Sequence, residues 1–173
     1  MVKNGEKWSD KQDKEQNMVN PLELIQQACG EQFTKQLDDK RRVTLPSKWR
    51  FNGDDAENSY FAIATKYGAI TVLPPKRTAK LLENISKISI ANSAKRKALA
   101  RFLENSCTLS CDKQGRIMLS EAILKHAGIT KDILMVGMGD TFDLWNPERR
   151  QKWLEEDNGD VIDEESLLEE LGM

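Results

Sequence analysis

From Phe33 the chain alternates: Phe33, Lys35 and Leu37 fall on one side of an extended backbone and Thr34 and Gln36 on the other, and after a charged turn Val43 and Leu45 flank Thr44. Period two predicts two strands joined by a tight turn. Pro46 ends the second strand and can open a short helix over Ser47-Lys48-Trp49-Arg50-Phe51. Asn52-Gly53-Asp54-Asp55 reads as a loop. Tyr60 to Ala64 and Ala69 to Leu73 are two further strand candidates, separated by Lys66-Tyr67-Gly68. Beyond Pro75 the period changes. Leu81, Leu82, Ile85 and Ile88, then Ala98, Leu99, Phe102 and Leu103, recur at helical spacing and predict two helices with a join between Ser86 and Asn92. The first thirty residues carry little pattern except Pro21-Leu22-Glu23-Leu24-Ile25, where Asn20 can cap a short helix led by Pro21.

A self-comparison reveals an internal repeat. FTKQLDDKRRVTLP, from Phe33, aligns without a gap on CTLSCDKQGRIMLS, from Cys107, at an offset of 74. Asp38 meets Asp112, Arg42 meets Arg116, Val43 meets Ile117 and Leu45 meets Leu119. ITVLPPKRTAKLL, from Ile70, lies over FDLWNPERRQKWL, from Phe142, at an offset of 72. One short unit with an exposed hairpin cannot enclose a core alone, so two copies are expected to pack together about a pseudo-two-fold axis.

Charge adds a second asymmetry. The net charge is −2, but the last twenty residues, Leu154 to Met173, carry nine acids and no base, which leaves +7 on the remainder. The stretch Lys76 to Asn105 holds eight Lys and Arg against Glu83 and Glu104. This is either a solvated helix face or a surface turned to a polyanion. No segment has the apolar length of a membrane span, and the N-terminus has no secretory core, so a cytoplasmic protein is expected. Cys29, Cys107 and Cys111 are odd in number and form no C-x-x-C, which suggests neither a disulfide framework nor a zinc site.

The two predicted turns share an acid at the first position and an arginine four residues later. A carboxylate there can accept the N–H groups of the residues that follow, so Asp38 and Asp112 are candidate turn organisers. Bases leaving such a turn present guanidinium forks suited to phosphate oxygens and guanine edges. The candidates are Lys40, Arg41 and Arg42 in the first turn and Lys113 and Arg116 in the second, so the first is expected to bind more strongly. The alternative is that Arg42 and Arg116 pair with Asp38 and Asp112, or with an acid from the other copy, and merely staple the two copies. No nucleophile constellation, phosphate loop or metal spacing marks an enzyme, and no cofactor, membrane or small-molecule substrate is expected. His126, in Leu124-Lys125-His126-Ala127-Gly128, reads as a C-terminal helix cap.

Leu37 to Arg50, Asp112 to Ile117, and the run Val136-Gly137-Met138-Gly139-Asp140-Thr141-Phe142-Asp143-Leu144-Trp145 together resemble the MraZ family of bacterial transcriptional regulators, over about Phe33 to Leu154. The resemblance implies an α+β chain of two tandem AbrB-like, swapped-hairpin units forming a pseudo-symmetric double-split β-barrel with flanking helices. It also implies a ring-shaped homo-oligomer that binds double-stranded DNA at direct repeats in the promoter of the division and cell-wall gene cluster. The family's first-copy contact falls on Asp38, Lys40 and Arg42, and Arg116 is the equivalent position in the second copy. A non-enzymatic protein-interaction or antitoxin-like module on the same fold is the alternative. The expected division is a polar extension over 1–30, a first unit over 31–75, a helical connector over 76–105, a second unit over 106–153 and an acidic tail over 154–173.

Three positions depart from the family pattern. Arg41 stands where the family has Gly, and at positive φ a side chain there costs about 1 kcal/mol. Ser120 stands where a proline is usual, and the extension up to Gly30 precedes the usual start. The acidic tail could compete with DNA for the arginine tips, or be a solvated end.

Overall fold

The computed structural model describes residues 30–50, 59–89 and 91–156. The short helix expected at Pro21–Ile25, the loop at Asn52–Asp55, Cys29 and most of the acidic tail lie outside the described residues.

The chain is α+β. Its strands are β1 (Gln32–Gln36), β2 (Arg42–Thr44), β3 (Ser59–Ala64), β4 (Ile70–Leu73), β5 (Ser106–Ser110), β6 (Arg116–Met118), β7 (Asp132–Met138) and β8 (Thr141–Trp145). Among the described residues four helices accompany them: α1 (Pro75–Ser86), α2 (Ser93–Glu104), α3 (Glu121–Ala127) and α4 (Pro147–Glu155). A 3-10 turn over Ser47–Trp49 follows Pro46, where the short helix was expected.

Six strands form one sheet in the order β1-β7-β8-β4-β3-β5, and β2 and β6 form a separate two-stranded ribbon. Every pairing is antiparallel. Among the described residues the strands do not close into a barrel; the large sheet ends at β1 and β5.

The register carries the symmetry of the repeat. In the ribbon Val43 faces Ile117, its own counterpart at the offset of 74, and Arg42 and Thr44 face Met118 and Arg116. At the centre of the large sheet Thr71 faces Asp143, its counterpart at the offset of 72, flanked by Ile70 on Leu144 and Val72 on Phe142. The outer strands are exchanged: β1 adds to β7, and β5 adds to β3. Each opening strand therefore completes the sheet contributed by the other stretch of chain, which ties the two together through backbone hydrogen bonds.

The main core lies between the sheet and the ribbon. Val43, Leu45, Ile117 and Leu119 enter it from the ribbon side and Tyr60, Ile70, Met135 and Leu144 from the sheet, all buried. Burial of side chains of this size is worth about 1.5–3 kcal/mol each. The Trp49 ring stacks on Phe142 with centroids 4.6 Å apart and takes Phe33 edge-on. The Tyr60 hydroxyl donates to the Trp49 carbonyl at 2.7 Å, which satisfies a buried oxygen. A smaller cluster on the opposite face of the sheet joins Ala69, Val136 and Trp145 to Trp153 of α4.

Local signals fix the helices. Ser120, the position where a proline was expected, caps α3 by accepting the Ile123 N–H, and Asn92 and Asn146 cap α2 and α4 in the same way. α3 ends at Gly128 with φ 65°, and the Ile129 N–H returns to the Leu124 carbonyl at 3.0 Å. That glycine, and not His126, closes the helix; the His126 ring instead donates from Nε2 to the Thr65 carbonyl at 2.7 Å. Helices α1 and α2 lie at the surface, with Thr78 their one fully buried residue among those described. Arg77 anchors α1 by pairing both Nε and Nη2 with the Asp140 carboxylate, at 2.5 and 3.0 Å. No helix among the described residues is long and apolar enough to cross a membrane.

Candidate nucleic-acid interface

The two charged turns are built alike, bond for bond. Asp38 Oδ1 accepts the N–H groups of Lys40 and Arg42, each at 2.9 Å, and Asp112 Oδ1 accepts those of Gln114 and Arg116 at the same distances. The main chain closes each loop again, with Arg41 N–H on the Asp38 carbonyl and Gly115 N–H on the Asp112 carbonyl. Across the ribbon Leu45 N–H donates to the Gly115 carbonyl and Leu119 N–H to the Arg41 carbonyl, so the turns are also bonded to one another's strands.

The second carboxylate oxygen holds the arginine. Arg42 donates Nε and Nη2 to Asp38 Oδ2 at 2.7 and 2.6 Å, and Arg116 does the same to Asp112 Oδ2 at 2.8 and 2.7 Å. The guanidinium groups do not stand free of the turns, as bases simply pointing outward would. Each lies along its own aspartate with about a quarter of its side chain exposed. Two of five guanidinium N–H groups are engaged in this way, and the outer edge of each fork keeps its remaining donors. The Arg42 bonds hold the Asp38 carboxyl down to about 2, and those of Arg116 lower Asp112.

Strand alternation sets the face. Val43 and Ile117 point into the core, so Arg42, Thr44, Arg116 and Met118 all lie on the outer side of the ribbon. Arg42 and Arg116 are diagonal neighbours there, a relation that places Cα atoms about 7–8 Å apart. Met118 sits beside them with 61% of its surface exposed, and no alternation argument on a single strand singles it out.

At the third turn position the copies diverge. Arg41 has φ 58°, the one positive value for a non-glycine among the described residues, and Gly115 has φ 75°. The Arg41 side chain is about half exposed, and its Nη1 lies 3.6 Å from Glu121. Over Gly115 lies Arg50, whose guanidinium would sit 2.5 Å or less from any Cβ there. Arg50 is held by a 2.8 Å bond from Nε to the Leu45 carbonyl. The expectation of three cations on the first turn against two on the second is thus changed. The second turn has Lys113 and Arg116 and gains Arg50 from the other stretch of chain. Sequence reasoning missed Arg50 because its partner is 65 positions away, where a glycine leaves room for it.

Residues 102–167 match the family model described as "MraZ protein, putative antitoxin-like". The chain is 28% identical over 140 residues to the transcriptional regulator MraZ of Clostridium tetani, covering 81% of this chain and 94% of that protein. It is 26% identical over 135 residues to the regulator of the same name from Bifidobacterium longum, covering 76% and 88%. A third, from Proteus mirabilis, is 26% identical over 137 residues, covering 78% and 88%. Over most of its length the chain resembles regulators of the MraZ family. The stretch matched by the family model contains the second turn and the VGMGDTFDLW run of β7 and β8, whereas β1 and β3 of the exchanged pairs precede it.

Cys107 and Cys111 are half-buried free thiols, raised by burial, and among the described residues no cluster of His, Cys, Asp and Glu could hold a metal ion.

Proposed function

We propose that this chain is a DNA-binding transcriptional regulator whose contact surface is the outer face of the β2–β6 ribbon and its two turns. In this reading residues 31–75 and 106–153 are tandem AbrB-like, swapped-hairpin units of a split barrel, with 76–105 a helical connector. Lys40, Arg41, Arg42, Lys113 and Arg116 meet DNA, and Asp38 and Asp112 organise the turns. The observation that carries it is the doubled bond pattern: two aspartates hold two arginines diagonally on one exposed face. A guanidinium fixed by a carboxylate has lost its side-chain freedom in advance, so its outer donors reach phosphate or guanine with less ordering entropy.

Several chains in a ring would hold successive direct repeats, and shared occupancy would multiply the modest affinity of one ribbon. The names of the relatives support regulation of transcription, and the family pattern points to the promoter of the division and cell-wall gene cluster.

The test is a mobility shift on the DNA upstream of the protein's own gene. Arg42→Ala and Arg116→Ala should each weaken binding, by about 1–3 kcal/mol where the arginine meets a base, and each should reduce the salt slope by about one for a lost phosphate contact. Wild-type-like binding in both variants would overturn the assignment. A nearly flat salt response would favour the protein-interaction alternative.

A further inference from the structure

On the far side of the sheet from the main core, the β3–β4 turn and α4 enclose an open cleft of about 520 Å³. Its floor is aromatic. Tyr67 stacks on Trp145 and Trp153 with centroids 5.5 and 5.3 Å apart, yet 45% of its surface stays exposed. Its walls are cationic, formed by Lys66, Arg149 and Lys152, with Glu156 at the rim. Arg149 donates from Nη1 to the His126 carbonyl at 2.8 Å and lies against Gly128, which fixes its guanidinium. Among the described residues none of these three cations is paired with an acid.

We propose that this cleft seats the chain's own acidic segment, residues 157–173. That segment leaves the described chain at Glu156, which already lines the cleft. It holds seven acids and no base, interspersed with Val161, Ile162, Leu167, Leu168 and Leu171. Its charge complements the three cations, and its branched side chains suit the exposed face of Tyr67. A four-residue stretch spans at most about 13 Å, so the first acids of the segment are tethered within that distance of Glu156. A tether this short gives an effective concentration in the millimolar range, enough to fill a site of weak intrinsic affinity. The seat engages the tail away from the ribbon, and it stands independently of the DNA-binding reading.

Two experiments test it. In the full chain, Lys66→Gln with Lys152→Gln should release the segment. Cleavage by a glutamate-specific protease after Glu164 and Glu165 should then accelerate at least fivefold over the unsubstituted chain; equal rates would overturn the proposal. Second, a labelled peptide of residues 157–173 should bind a chain ending at Glu156 at least tenfold more tightly than it binds the full chain. Lys152→Gln in the shortened chain should weaken that binding several-fold. Equal binding to the full and shortened chains overturns the proposal, as does protection from cleavage that appears only as protein concentration rises, which would place the segment on a neighbouring copy. Neither readout involves DNA, so failure of the duplex-binding reading would leave both intact.

Discussion

Arg41 and Gly115 occupy the same step of their two turns, both with positive φ, and only Arg41 brings a side chain to it. Left-handed backbone at Arg41 costs on the order of 1 kcal/mol. Replacing it with glycine relieves that strain but returns about 0.4–1 kcal/mol of freedom to the unfolded chain. Arg41→Gly is therefore expected to change stability by less than about 1 kcal/mol in urea titration. The same variant should bind duplex DNA less well, with a salt slope lower by about one. Loss of affinity without loss of stability separates a contact role from a structural one.

The Asp38 carboxyl, held at about 2 by Arg42 against an ordinary 3.8, should titrate near that value by carboxyl NMR and move back up in Arg42→Ala. Because the folded value is the lower one, the stabilisation it brings is complete above the ordinary value. It disappears as the pH falls through about 2. Asp112 should respond to Arg116→Ala in the same direction. A midpoint that ignores the arginine would refute the pairing in solution.

Gly115→Ala meets two obstacles, the positive φ and the Arg50 guanidinium. The first costs about 1 kcal/mol and cannot be relaxed, whereas Arg50 can swing away. The expected outcome is a modest destabilisation, on the order of 1–2 kcal/mol by denaturant titration, accompanied by displacement of Arg50 from the second turn. Arg50→Ala alone should reduce the salt slope of DNA binding if its charge reaches phosphate there. Adding Arg50→Ala to Gly115→Ala should recover the steric part of the destabilisation and leave the backbone part.

Asp143 is buried in β8 and accepts the Thr71 hydroxyl at 2.7 Å. Burial raises its carboxyl, against the opposing pull of Thr71, Trp145 and Arg150. With the folded value raised, its contribution is fully present below the ordinary carboxyl value and is lost as the pH climbs through the raised one. Asp143→Asn keeps an acceptor for Thr71 without the charge, so it should raise the melting temperature more at pH 7.5 than at pH 4. An equal shift at both would contradict the burial effect.

Much of this arrangement was legible before any coordinates. Alternation located β1 and β2 because one face of each is buried, and helical spacing found α1 and α2, with residues 87–92 between them. The doubled Asp-to-Arg spacing marked both turns because an Asx-type loop is a local event within five residues. What stayed hidden depends on chain brought from afar. Arg50 over Gly115 and the closing of α3 by Gly128 in place of His126 are set by packing or by a backbone angle that residue types alone do not display. The direction of Arg42 and Arg116 was equally undetermined, because an acid and a base four residues apart can either pair or diverge.

Thr71 and Asp143, aligned with each other in the internal repeat, face each other across β4 and β8. Were two identical chains to assemble this way, the same residue would face itself, and a self-pairing second half would bring two Asp143 carboxyls together in a dry interior. In this chain the two facing positions differ, and the Thr71 hydroxyl donates to Asp143 Oδ1. The bond therefore needs one residue of each kind, and copying either side onto the other would leave two donors or two buried acids at the middle of the sheet.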